Sequence, residues 1–145
     1  MQKYLKFTIT ISFLIIINSI NILPQTPESA VKSALNNLFS YSKSKAYEKA
    51  ALLIAYDGED KNRNLKEAYN PANKDELNQA KRKCKEIAAL IELSNKYEIG
   101  KFSTSTMDGK EVYMFDVSFI SGDQKLVKTY TFTKAGNGYL LIKVN

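Results

Sequence analysis

The sequence predicts an α+β fold, three N-terminal helices packed on one face of a curved antiparallel sheet of about four strands. Three observations carry that expectation. Apolar residues recur at spacings of three and four through residues 30–91, then alternate with polar ones after Tyr97. Asp108-Gly109, Ser121-Gly122-Asp123-Gln124 and Gly136-Asn137-Gly138 divide the C-terminal part into lengths suited to hairpins. Helical and strand periods are segregated rather than interleaved, which favours a meander covered by helices over a parallel sheet.

Residues 1–25 read as a signal peptide. Lys3 and Lys6 form its positive end, residues 7–23 carry no charge, and Pro24-Gln25 break the run. Thr8, Thr10, Ser12, Asn18, Ser19 and Asn21 dilute the stretch, whereas a spanning helix needs about 20 mostly apolar residues. The segment is therefore expected to be cleaved, leaving no stable membrane span. Residues 26–145 then form one domain of about 120 residues, enough for a single modest core. Export places that domain in the periplasm or outside the cell, and the richness in Lys, Asn and Ile suggests a bacterial genome.

Thr26 is placed to cap a first helix, with Pro27 and Glu28 in its first turn. Ala30, Val31, Ala34, Leu35, Leu38 and Phe39 line its inner face to about Tyr41. Ser44 is expected to cap a second helix, with Tyr47, Ala50, Ala51 and Ile54 inward. Residues 57–73 are punctuated by Gly, Asn and Pro, with one helical turn expected at residues 65–69. Asn73 caps a third helix that keeps its period through Leu77, Ala80, Cys84, Ile87, Ala88 and Ile91 to about Asn95. Strands follow at residues 97–106, with a bulge at Gly100, and at residues 111–120, 125–134 and 139–144. In the second strand, Tyr113, Phe115, Val117 and Phe119 share the face expected to meet the helices.

The order of two amphipathic helices, a loop, a longer helix and a curved meander resembles the nuclear transport factor 2-like superfamily, the cystatin-like α+β cone. The runs at residues 47–51, 54–61, 69–71 and 97–102, with Ser94, look like those of exported bacterial members of unknown function. The resemblance covers the whole region after the signal. The superfamily places a strand before its third helix, and here the candidate is at residues 53–56. The resemblance implies a pocket between helices and sheet, and association through the outer sheet face, so a homodimer is expected as one option. Its members include isomerases, hydratases, polyketide cyclases and binding modules, so the fold does not decide the activity.

Composition excludes several chemistries. The chain has no histidine, hence no Ser-His or Cys-His nucleophile pair, and one cysteine, hence no internal disulfide and no zinc spacing. Cys84 reads as a small buried apolar residue. The formal charge of +6 falls to +4 without Lys3 and Lys6, and the basic residues are dispersed rather than striped, which argues against nucleic acid. Lys81-Arg82-Lys83-Lys85 reads as a solvated helix face. Asp57, Glu59, Asp60, Asn62 and Asn64 resemble a calcium loop only superficially, because its glycine and terminal glutamate are out of place. No metal and no cofactor is expected.

Two constellations remain. In the loop, Tyr56, Asp57, Asp60, Arg63 and Tyr69 offer acid, guanidinium and phenol groups at a pocket mouth, or else a local ion pair and packed rings. On the second strand, Asp116 would serve as a base only if enclosed by apolar groups, yet its face lies opposite Phe115 and Phe119. A small apolar ligand would sit behind Tyr113, Phe115 and Phe119. Among the nine tyrosines, Tyr130 and Tyr139 are candidates for an exposed contact surface. The functional expectation is an exported binding or accessory module for a partner protein or a small apolar ligand. The alternative is a small lyase or isomerase using Asp116 or Asp60 with a tyrosine.

Overall fold

A computed structural model describes residues 25–145, so the expected signal segment lies outside the described residues apart from Gln25. The first helix, α1 (Pro27–Lys43), opens as its sequence implies. The Thr26 hydroxyl accepts the Ser29 amide at 3.3 Å, Pro27 takes the first helical position and Glu28 faces the positive end. Its far end differs from expectation. Ser44 is the C-cap of α1, its hydroxyl donating to the Ser40 carbonyl at 2.9 Å. Lys45 follows in the left-handed region at φ 59°, and the Ala46 amide reaches back to the Tyr41 carbonyl. This is the Schellman closure, which consumes the carbonyls a helix end leaves orphaned. The second helix, α2 (Tyr47–Ala51), therefore starts after Ala46 with no side-chain cap.

The expected helical turn at residues 65–69 is also absent. Residues 53–56 and 67–69 are instead drawn into extended pairing. Ile54 forms a parallel bridge to Leu141 and Ala55 an antiparallel one to Ala68. The Tyr56 amide donates to Glu67 and the Tyr69 amide to Ile54, at 2.8 and 3.0 Å. These partners are distant in sequence, so local helical propensity loses to a backbone ladder that satisfies both segments.

The long helix α3 (Lys74–Glu92) is capped by Asn73, whose side-chain oxygen accepts the amides of Asp75 and Glu76. It stops at Leu93, short of the expected Asn95, because the Asn95 amide is already bonded to the Ile120 carbonyl in the sheet. Four strands follow: β1 (Lys96–Met107), β2 (Lys110–Ser121), β3 (Gln124–Ala135) and β4 (Gly138–Val144), paired antiparallel in the order β1-β2-β3-β4. Asp108 and Gly109 both have positive φ, 51° and 75°, as a two-residue hairpin turn of the primed kind requires. The β1 ladder slips between Ile99 and Phe102, at the expected bulge. A side chain at Gly100 would bring its Cβ to 3.1 Å of the Asp116 carbonyl oxygen, which explains glycine there. A second slip, opposite residues 131 and 132, leaves Ile142 as the extra residue of β4.

One apolar cluster joins Val31, Leu35, Leu38 and Phe39 of α1, Ala80, Cys84, Ile87 and Ile91 of α3, and Tyr113, Phe115, Val117 and Phe119 of β2. Phe39 is its hub, with ring centroids of Tyr97 and Tyr130 both 5.2 Å away in edge-on geometry. Register sets Tyr113 opposite Phe132 and Phe115 opposite Tyr130. Tyr130 is thus fully buried and Tyr139 packs edge-on against Tyr113, so neither forms the outer contact surface expected of them. Alternation places both on the core face of their strands. Among the described residues no helix is long and apolar enough to cross a membrane.

Candidate functional site

The loop between α2 and α3 gathers the expected polar residues, but through partners that the sequence left out. Tyr56 lies edge-on to Tyr69 at 5.9 Å, and the Arg63 guanidinium sits 4.3 Å over the Tyr56 ring. The Asp60 amide reaches the Tyr56 hydroxyl at 3.4 Å, while its carboxylate accepts the Asn62 amide at 2.9 Å, a local turn closure. Arg63 does not pair with Asp60. It makes a two-pronged bond to Glu76 of α3, at 2.9 and 3.0 Å, and a further one to Glu67 at 2.9 Å. The Glu76 carboxylate also accepts the Asn70 amide at 2.7 Å, and its residue is only 8 % exposed.

The electrostatics follow from that pairing. The Arg63 bonds, assisted by the Asn70 amide, outweigh burial and hold the Glu76 carboxyl below its usual range. Burial acts to raise Asp57, but bonds from Lys83 at 2.8 Å and from the Tyr69 hydroxyl outweigh it and lower the carboxyl. Burial, then the bond to Asp57, pushes the Tyr69 phenol well above its usual range. Asp57, Arg63, Tyr69, Glu76 and Lys83 are therefore matched to one another. The cluster bolts the loop to α3 and leaves Tyr69, 2 % exposed, shielded from any substrate.

The other expected site residues are elsewhere. Phe115 and Tyr113 are packed in the core, Phe115 5.2 Å from Phe102 and Tyr113 bonded to Glu111 at 2.6 Å. Asp116 is exposed on the opposite face, where it accepts the Thr129 hydroxyl at 2.6 Å and lies outside any apolar enclosure. Cys84 is buried beside Ser42, and burial raises its thiol against the partial offset from that hydroxyl. Among the described residues no group of three acids or cysteines is placed to hold a metal.

The arrangement best suited to a ligand is a groove between α3 and β4 that sequence reasoning missed. It encloses about 570 Å³ between Ile87, Leu90 and Leu93 on one side and Leu141, Ile142 and Val144 on the other. Lys83, Lys128 and Lys143 stand around it, with Glu86 as its acid. Helical spacing explains one wall: residues 83, 86, 87, 90 and 93 follow one another around α3 on the side next to its inward stripe. Register explains the other: Leu141 lies opposite Phe132 and Val144 opposite Tyr130, so both sit on the sheet face that meets α3, with the extra residue Ile142 between them. Leu90 and Leu93 also line an adjoining depression of about 480 Å³ that reaches Phe119 and Leu126. Together they make one apolar seam, along which Leu93 is 78 % and Leu126 46 % exposed. Two leucines lying off the inward stripe of a helix were the available signal. A further cavity of about 570 Å³ lies beside Ala34, Leu53 and Gly138 and borders Gln25. No protein-family model matches this chain, and no curated protein matches it either.

Proposed function

We propose that the chain is an exported, non-catalytic binding module that receives a small apolar ligand in the groove between α3 and β4. The observation that carries the reading is the apolar seam itself: large aliphatic side chains at Leu93, Leu126 and Val144 remain exposed beside a groove of ligand size. Binding rather than turnover is supported by the loop, where the acids, the phenol and the guanidinium are matched to each other, and by the lack of histidine. Export is supported by the signal-like residues 1–25. Kinship with the nuclear transport factor 2-like superfamily is supported by the element order and by the pairing of residues 53–56 beside β4, where that fold carries a strand. The sharing of one core by α1, α3 and the Tyr113–Phe119 face supports helices roofing one side of a bent sheet. The test is titration of the purified protein with the neutral fluorophore N-phenyl-1-naphthylamine. Saturable enhancement that is abolished by Leu90→Asp or Leu93→Asp, with circular dichroism unchanged, is expected. Absence of binding, or binding indifferent to both substitutions, overturns the proposal.

A further inference from the structure

We infer that this chain pairs with a second copy of itself through the open edge of β1, residues 102–107 of each copy lying antiparallel to make one sheet across both molecules. The inference is independent of the groove. One edge of the sheet is already closed: the Leu141 amide of β4 donates to the Leu53 carbonyl and the Leu141 carbonyl accepts the Ala55 amide, both at 2.8 Å. The other edge, β1, pairs only with β2 among the described residues. Its first half is guarded. Lys96, Glu98 and Lys101 stand there, and the slip between Ile99 and Phe102 interrupts the ladder. Its second half, Phe102-Ser103-Thr104-Ser105-Thr106-Met107, has no charge, no proline and no slip, the features by which edges ward off another strand.

Register fixes which backbone groups are free. The two-residue turn at Asp108-Gly109 makes Met107 and Lys110 exchange bonds. By alternation Ser105 and Ser103 are bonded to β2, while Phe102, Thr104 and Thr106 point their N–H and C=O groups outward. The bond from Leu141 to Leu53, followed back across the ladders through Phe132 and Tyr113, gives the same phase. Such a row accepts an extended strand, and this strand complements itself. A twofold axis at Thr104 sets Thr104 against its counterpart, Phe102 against Thr106 of the second copy and Ser103 against Ser105 of the second copy. Each outward residue then donates once and accepts once. Aromatic and β-branched side chains meet on one face, hydroxyls meet on the other, and no like charges oppose. Lys101 comes beside Asp108 of the second copy, with Lys110 one strand further off. Both Lys101 and Asp108 are exposed and have no ion-pair partner among the described residues. An edge contact is smaller than the roughly 1,200–2,000 Å² of stable interfaces, so a weak, reversible dimer is expected.

The experiment is sedimentation equilibrium of the purified protein from about 10 µM to about 1 mM, with amide hydrogen exchange read at both ends of that range. The mean mass should climb toward that of a dimer. The Phe102, Thr104 and Thr106 amides should gain protection with concentration, while those of Ser103 and Ser105 are protected throughout. Thr104→Pro removes an outward amide from each copy and no bond to β2, so it should weaken association at least about tenfold with circular dichroism unchanged. Thr104→Lys should do the same by setting like charges on the axis, and it keeps the test decisive where proline disturbs the fold. Val127→Lys, on the outer sheet face where Val127 is 49 % exposed, should leave the dimer intact. A monomer at every concentration overturns the inference. Association that survives both Thr104 substitutions, or that Val127→Lys abolishes, overturns it in favour of another surface. Protection of Phe102, Thr104 and Thr106 that ignores concentration also overturns it, because the edge is then covered within one chain.

Discussion

Removing one oxygen from the core should stabilise this protein. Tyr130 is fully buried, its ring 5.2 Å from Phe39, and its hydroxyl has no hydrogen-bond partner among the described residues. An unpaired buried hydroxyl costs about 1–3 kcal/mol, because it gives up water and gains nothing in return. Tyr130→Phe removes that cost and keeps the edge-on ring contact. It leaves a void of about 15 Å³, which at about 24 cal/mol per Å³ returns about 0.4 kcal/mol of the gain. The net expectation is a stabilisation of about 1–2 kcal/mol, or a rise of about 4 °C in melting temperature for each kcal/mol in a domain of this size. Urea unfolding followed by circular dichroism measures it, the midpoint rising with the slope unchanged. A loss of stability of about 1 kcal/mol or more refutes the reasoning, because the hydroxyl would then have a partner inside the core.

Three further outcomes follow from the same physics. Lys45→Gly should stabilise by about 1 kcal/mol in thermal melts, because glycine adopts the φ of 59° at the end of α1 without the Cβ conflict; destabilisation would deny the Schellman closure. In a spectrophotometric titration at alkaline pH, Tyr69, Tyr113 and Tyr130 should ionise last. For Tyr113 the bond to Glu111, then burial, pushes the phenol up to about 12, so its contribution to stability is complete below pH 10.0 and disappears as pH rises toward about 12. Tyr113→Phe should remove the step near pH 12. At the acid end, Glu76 and Asp57 have lowered carboxyls, so the stability they contribute is complete above their unfolded values of 4.5 and 3.8 and is lost as pH falls through the lower folded values. Glu76→Gln should weaken the protein at pH 7 and flatten its acid decline, with an unaltered decline as the contrary result.

What could be read from the sequence was whatever depends on near neighbours. Thr26 and Asn73 cap helices because the amides they bond are two or three residues away. Asp108-Gly109 makes its turn through its own φ angles, and the alternation at Tyr113, Phe115, Val117 and Phe119 shows the face that enters the core. Distant partners were invisible. Ser44 looked like an opening cap until the αL residue after it closed α1 instead. The segment 65–69 had a helical look, but its backbone is claimed by residues 54 and 56. Glu76 looked like a first-turn acid, yet it is enclosed because Arg63, thirteen positions earlier, folds over it. Tyr56, Arg63 and Tyr69 stood in the sequence as a pocket mouth or as a local ion pair with packed rings, and the bonds that gather them run to α3 instead of to Asp60. The groove was hidden because each wall is unremarkable alone: two leucines beside a core stripe, and one extra isoleucine in a strand.

The measurement closest to the central claim is a methyl NMR spectrum of the protein recorded with and without N-phenyl-1-naphthylamine. The Leu90, Leu93, Leu141 and Val144 methyls should shift together and saturate, while those of Val31 and Leu35, on the buried face of α1, stay in place. Shifts centred on Leu53 and Leu140 beside the other cavity, or none at all, would contradict the assignment of the α3–β4 groove as the binding site.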